Sequence, residues 1–340
     1  MRKILVAVLA AAVFALVGCS QPASSTTPSS TTPSSSAALP AATIGLTYIP
    51  NVQFSPFYVA ESQGSFTKAG VDATLRHHGT SEGLFTALVA GQEQFVVAGG
   101  DEMLQARSQG MDLVAVSAYY RSYPVVLIVP DSSSITSLAD LKGHSIGIPG
   151  KYGESWFGLQ VALRSAGLSE SDVKIKEIGY TQQAALQGGK VDAIIGFSNN
   201  DLVQATLANF PARSIPITSG DVPLVGASLI TTTAYAKAHP EVVRAVVAGT
   251  LAGISSVVAD QSQAMTISAD YIPGLDVAAT KAAAEATIAA TIPLWKGADG
   301  VISGKLDSSQ WAKMAEFMGA NGLTTSTQDP TLAMSNDYLG

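Results

Sequence analysis

From Thr43 onward the chain switches every ten to twenty residues between two hydrophobic periods, and most switches are marked by glycine. β-Branched and aromatic runs predict strands at 43–49, 71–75, 94–98, 113–117, 125–129, 145–148, 174–178 and 193–196. Between them, helical spacing predicts helices at 57–69, 81–90, 102–109, 137–142, 155–166 and 181–187, several stopped by a glycine such as Gly70, Gly91 or Gly167. Such alternation leaves few options: an α/β fold whose sheets are largely parallel. Past Ala234 the pattern turns helical, at 240–260, 263–271, 277–292 and 308–319. The alanine-rich stretch 277–292 carries Lys281 and Glu285 four apart, a solvated-face pattern that argues for a surface helix and against a membrane span.

The first forty residues obey different rules. Arg2 and Lys3 precede an uncharged apolar run, Ile4–Val17, too short to span a bilayer and suited to a secretory signal. It ends in Leu16-Val17-Gly18-Cys19, which resembles the lipobox of bacterial lipoproteins. The resemblance implies a signal peptide at 1–18, a lipidated Cys19 and a chain anchored on the extracytoplasmic face of the cell membrane. Acyl chains gain about 0.8 kcal/mol per buried methylene, and two or more hold stably. Residues 20–42 follow as a Ser/Thr/Pro linker in which SSTTP occurs twice, at 24–28 and 29–33. Without charges or aromatics this segment cannot bury a core and is expected to be a disordered tether.

Composition excludes several functions. Cys19 is the only cysteine, so the body holds no disulfide, thiolate metal site or catalytic thiol. Net charge is −7, and loss of Arg2 and Lys3 makes it more acidic. That balance offers no basic excess for nucleic acid or for electrostatic adsorption to lipid. His77 and His78 are adjacent, and neighbours on a strand point to opposite faces, so they do not chelate one ion. No Gly-x-Ser-x-Gly elbow is present. No metal, cofactor or catalytic group is expected.

Four turns follow strands and are candidate ligand contacts, because open α/β sheets bind ligands at the carboxyl ends of their strands. The first runs from Tyr48 through Asn51 and Gln53 to Phe54, two aromatic faces with amides between. Asn51 either meets ligand or caps its own turn. The second is Gly99-Gly100-Asp101-Glu102, where Asp101 is either a contact or a helix cap. The acids there disfavour an anionic ligand. The third is Pro149–Trp156, with Tyr152, Glu154 and Ser155 as contacts. It lacks the Gly-Lys-Ser/Thr ending of a phosphate-binding loop. The fourth is Phe197-Ser198-Asn199-Asn200-Asp201, with Phe197, Asn199 and Asp201 as contacts or Asp201 as a cap. Tyr119, Tyr120 and Tyr123 form a possible stacking wall, with Tyr120 chosen as the contact.

Three blocks then coincide. Phe57-Tyr58-Val59-Ala60 before Gly64-Ser65-Phe66 and Gly70-Val71-Asp72, Ser137–Gly143 before Ile146–Gly150, and Gly189-Lys190-Val191-Asp192-Ala193 stand in order, and Trp311…Phe317…Leu323 closes the chain. Together they resemble solute-binding proteins of ABC importers, over roughly residues 43–340. The resemblance is closest to the branch binding thiamine pyrimidine precursors (hydroxymethylpyrimidine or formylaminopyrimidine), with aliphatic sulfonate or riboflavin as alternative ligands. It implies a two-lobed type II periplasmic-binding-protein fold: lobe 1 from 43–124 plus 222–340, lobe 2 from 125–221, two crossover strands and a ligand cleft between. It implies a monomer working with a small molecule and a membrane permease, and an acid near Asp201 that pairs with ring nitrogens. Hinges are expected near Ser122-Tyr123-Pro124 and Asp221-Val222-Pro223. A eukaryotic branch of the family makes the pyrimidine itself, using a histidine where this chain has Phe54 and a cysteine-rich motif absent here, so catalysis is not expected.

Overall fold

The computed structural model describes residues 38–79, 82–217 and 223–340. The expected signal peptide, Cys19, most of the linker, and Asp221-Val222 of the second hinge lie outside the described residues. Ten strands form two five-stranded sheets. They are β1 (Ala41–Leu46), β2 (Asp72–His77), β3 (Phe95–Gly99), β4 (Leu113–Ala118), β5 (Val125–Pro130), β6 (Ser145–Ile148), β7 (Lys174–Glu177), β8 (Ala193–Phe197), β9 (Ala212–Pro216) and β10 (Ala227–Thr232). The helices between them are α1 (Ser55–Ser62), α2 (Ser65–Ala69), α3 (Thr86–Val89), α4 (Gly100–Ser108), α5 (Gly153–Ser165), α6 (Gln182–Gln187) and α7 (Asp201–Leu207). The C-terminal part is helical: α8 (Thr233–Ala238), α9 (Pro240–Ala259), α10 (Gln261–Ser268), α11 (Ala278–Lys296), α12 (Ser308–Ala320) and α13 (Pro330–Ala333).

The strand orders are β2-β1-β3-β10-β4 and β7-β6-β8-β5-β9, the same path run twice. Each sheet holds one strand that arrives from the other lobe. β5 enters lobe 2 and pairs antiparallel with β8 and β9. β10 returns to lobe 1 and pairs antiparallel with β3 and β4. Each sheet is therefore mixed: four strands run one way and the incoming strand runs against them. The segment linking β4 to β5 is a bend rather than a strand.

Other expectations are corrected locally. β1 begins at Ala41, two residues inside the expected linker, because Ala41 and Ala42 pair with Asp72 and Ala73. The expected helix at 57–69 is two helices, parted by Gly64 at φ +67°, a conformation only glycine adopts at low cost. The helix expected at 81–90 shrinks to α3. The segment at 137–142 is a single 3-10 turn, Leu138–Leu141. α11 runs through Pro293 to Lys296, where burial of Trp295 (1 % exposed) offsets the lost backbone bond.

Among the described residues there are three apolar clusters, the smallest packing Ile128, Ala185, Leu186, Val191 and Ile194 within lobe 2. A second joins lobe 1 strands to α1, α2, α9 and α11 through Phe57, Tyr58, Phe66, Val243, Val246 and Ile288. α9 is, among the described residues, the one helix long and apolar enough to cross a membrane, and its apolar face is spent on this core. The third cluster crosses between the lobes, gathering Met103 and Leu104 of α4, Phe157 and Val161 of α5, and Trp311 and Met314 of α12. That shared core brings the start of α4 next to the start of α5.

Candidate functional site

β1, β3, β6 and β8 end side by side within their sheets, so the turns that leave them converge on one cleft between the lobes. It encloses a cavity of about 160 Å³. Lobe 1 supplies Tyr48, Gln53, Phe54, Glu102, Tyr119 and Tyr120 to its lining; lobe 2 supplies Tyr152, Glu154, Ser155, Tyr180, Phe197 and Asp201. Tyr48 and Tyr180 meet edge to face across the cleft, 4.7 Å between ring centroids.

The lobe 1 wall is fixed from behind. The Tyr119 hydroxyl donates to the Gln53 carbonyl. Thr47 Oγ1 donates to Val97 O at 2.6 Å, holding the first turn to β3. His77 Nδ1 lies 2.8 Å from Tyr48 O, an acceptor only, so Nδ1 carries the proton and Nε2 accepts from the Tyr58 hydroxyl at 2.9 Å. Burial lowers the His77 pKa, favouring this neutral form. His78, which lines the cavity, bonds instead to the buried Glu93 at 2.9 Å, and Arg76 completes that pair from outside.

The floor is acidic. Glu102 Oε2 accepts from Gly99 N at 3.1 Å and Asp101 Oδ1 from Glu102 N at 2.8 Å, both at the start of α4. Glu154, at the start of α5, comes from the opposite lobe to join them. Oxygens of all three lie within 4.8 Å of one another. Gly99 makes the approach possible: a Cβ there would overlap Asp101 Oδ1 and sit 2.9 Å from Glu154 Oε1 and 3.1 Å from Glu102 Oε2. Burial is the main force on their protons. It raises Asp101 to about 7 and Glu154 to about 8, the latter helped by the Asp101 charge. Glu102 is pushed well above the carboxylate range by burial and then by Glu154 and Asp101. Asp201 rises to about 6 by burial, although its Oδ2 accepts from Phe197 N at 2.7 Å. No lysine or arginine lines the cavity among the described residues.

The structure gathers Tyr48, Gln53, Phe54, Tyr120, Tyr152, Glu154, Ser155, Phe197 and Asp201 around the cavity, and leaves four expected contacts out. Asn51 spends its side chain on Gln53 N, capping a 3-10 turn. Gly100 packs on Trp311 and Val225, where a Cβ would lie 2.9 Å from each. Asp101 is fully buried behind Glu102 and does not face the cavity. Asn199 donates to Thr291 Oγ1 of α11 at 2.8 Å, tying lobe 2 to lobe 1, and is not among the lining residues. Of the three tyrosines, Tyr119 and Tyr120 face the cavity and Tyr123 does not. His78, read in the sequence only as half of an unworkable metal pair, lines the cavity together with Leu84, Tyr180 and Gln182; they follow β2 and β7, with Gln182 opening α6, in short segments with no motif of their own.

Known proteins place this architecture. The alkanesulfonate-binding protein SsuA from Xanthomonas axonopodis pv. citri, bound to MOPS, matches with TM-score 0.65 and 22% identity over 88% of this chain and 99% of its own. SsuA from Escherichia coli matches with TM-score 0.65 and 20% identity over 87% and 92%. These likenesses establish the periplasmic-binding-protein fold. The riboflavin-binding protein RibY of Chloroflexus aurantiacus is 29% identical over 100% of this chain and 99% of its own length. The formylaminopyrimidine-binding protein of Halalkalibacterium halodurans is 24% identical over 47% of this chain and 48% of its own. A 4-amino-5-hydroxymethyl-2-methylpyrimidine phosphate synthase of Legionella pneumophila is 23% identical over 48% and 51%. The family model described as "NMT1/THI5 like" matches residues 51–264, more than half of the sequence, and with the two-lobed cleft around an enclosed cavity this chain belongs to that family, as a solute-binding protein.

Proposed function

We propose that this protein is an extracytoplasmic receptor that captures a planar, N–H-bearing aromatic heterocycle, riboflavin first among them, and delivers it to an ABC permease. The carrying observation is a cavity walled by aromatic rings from both lobes over an acidic floor, with no lysine or arginine among the described lining residues. Flat rings gain from stacking on tyrosine faces at little entropic cost. Ring N–H groups and sugar-alcohol hydroxyls donate to carboxyl oxygens in either protonation state, whereas a sulfonate would meet the Asp201 charge as a like charge and find no lysine or arginine among the described lining residues. The end-to-end similarity to a riboflavin-binding protein, against half-length similarity to a pyrimidine-binding one, sets the order of ligands. A pyrimidine precursor is the second reading, favoured by the small cavity.

The reading is of binding without turnover: Phe54 stands where the family resemblance implies a histidine in the pyrimidine-making branch. Lipid attachment at Cys19 and a tether over 20–40 would hold the receptor at the membrane beside its permease. Two lobes that both touch the ligand would close on it, with the bend at Ser122-Tyr123-Pro124 as one pivot.

Titration of riboflavin, followed by quenching of its fluorescence, tests the ligand. Hydroxymethylpyrimidine, formylaminopyrimidine and an alkanesulfonate serve as competitors. Saturable quenching at micromolar riboflavin, resisted by the sulfonate, is expected. Displacement by a sulfonate alone would reverse the charge argument, and displacement by a pyrimidine at lower concentration would move the second reading to first.

A further inference from the structure

We infer that the floor of the cleft is a binding site for a hard divalent cation, Ca²⁺, Mg²⁺ or Mn²⁺, held by Asp101 and Glu102 from one lobe and Glu154 from the other. This goes beyond the choice of heterocycle and shares with it Glu102 and Glu154, which the proposed function places under the ligand. Sequence spacing gave no hint of it, because Glu154 lies some fifty residues from its partners and meets them only through the packing of α4 against α5.

Geometry is the first argument. Calcium holds oxygen ligands at about 2.3–2.6 Å, so two oxygens on one ion lie at most about 5 Å apart. Donor atoms of these three residues are all within 4.8 Å of one another. They crowd the same face of Gly99, where even a methyl group would collide with them.

Unmet bonding capacity is the second. Asp101 is 0 % exposed, yet its Oδ2 has no hydrogen-bond partner. Glu154 Oε1 is buried and equally without one, and the group facing Asp101 is the neutral hydroxyl of Tyr123. Backbone N–H groups satisfy the inner oxygens, Asp101 Oδ1 and Glu102 Oε2, and leave the others unspent. Buried carboxylate oxygens are rarely left so unless something else takes them. Beyond the Tyr123 hydroxyl beside Asp101, no cationic side chain offsets them: no lysine or arginine lines the cavity among the described residues, and His78 is committed to Glu93.

The donor set names the class of ion. Three carboxylates without nitrogen or sulfur select hard cations. Glu102 and Glu154 both face the cavity, so the remaining coordination positions open toward it and fall to water or to a carbonyl oxygen of the bound solute. With ligands from both lobes, the ion would also stabilise the closed cleft.

Terbium(III), a luminescent stand-in for calcium, tests this in the purified chain without any heterocycle. Excitation of the tyrosines, with Tyr120 and Tyr123 beside the cluster, should give saturable terbium emission that Ca²⁺ displaces. Glu154→Gln and Glu102→Gln should each weaken terbium binding at least ten-fold, while Asp140→Asn on the exposed surface should not. The melting temperature of the unmodified chain should rise with millimolar Ca²⁺ and fall back with chelator, a readout that stands if a variant fails to fold. Absence of sensitised emission, emission of equal affinity in both glutamine variants, or a melting temperature indifferent to Ca²⁺ would each overturn the site. Because riboflavin is measured separately, failure here leaves the ligand assignment intact, and the converse.

Discussion

The two walls of the cleft are built differently. On the lobe 1 side nearly every polar group near the cavity is already committed: Tyr119 to Gln53, Thr47 to Val97, His77 to Tyr48 and Tyr58, His78 to Glu93. On the lobe 2 side Tyr152 is 39 % exposed and Glu154 Oε1 is unpartnered. The first wall is preorganised and loses little freedom on binding. The second holds its capacity in reserve, and contacts made only when the lobes meet are what bias a two-state equilibrium toward closure.

Substitutions can break this contrast. The largest effect is expected from Gly99→Ala, which puts a methyl group where the walls' three carboxyls meet. Overpacking of this kind costs about 1–3 kcal/mol. Because the crowding is between lobes, ligand affinity should fall by roughly a hundred-fold at the upper end of that range, read by titration, with a lower melting temperature.

Asp201 sharpens the contrast through pH. Its pKa stands at about 6 in the folded chain against an ordinary 3.8, with burial as the cause. The folded state therefore binds this proton more tightly than the unfolded one, and stability falls as pH rises from about 4 to about 6, by on the order of 3 kcal/mol for this one group. Asp201→Asn should flatten that part of the stability–pH curve relative to the unmodified chain, measured by denaturant unfolding at several pH values. Parallel curves would place Asp201 in water rather than under the cleft.

Tyr152→Ala should act on binding alone. Its ring reaches into the cleft from the reserve wall and is partly exposed before ligand arrives. Loss of one stacking face costs roughly 1–3 kcal/mol of affinity, with no change in melting temperature. Tyr119→Phe is the smallest and the mirror image. It removes one buried hydrogen bond behind the fixed wall, worth about 1 kcal/mol. It should lower stability first and affinity only through the displaced Gln53.

These contrasts were only partly legible in the sequence. The strands that feed the cleft were visible because Ile44–Leu46, Phe95–Ala98, Ile146–Ile148 and Ala193–Gly196 are apolar runs bounded by turns. β9 and β10 were not: β9 pairs only with β5, and Ala227–Thr232 pairs with residues more than a hundred positions earlier, where nothing local announces an antiparallel insertion. The same limit applies in the site. Asn51 has the right chemistry for a ligand contact, but a local cap satisfies it at no distance. Asp101 and Glu102 are adjacent on a helix, and only the packing of α4 decided that Glu102 faces the cavity and Asp101 the interior. Tyr180 could be found only once β7 was placed beside β6.

Hydrogen–deuterium exchange with and without saturating riboflavin tests most directly that ligand is held between a fixed wall and a closing one. The account predicts slowed exchange in both walls, at residues 48–54 and at residues 152–155 and 197–201, with the larger change in lobe 2, whose groups are free beforehand. Protection confined to lobe 1, or none in either segment at saturating ligand, would contradict it.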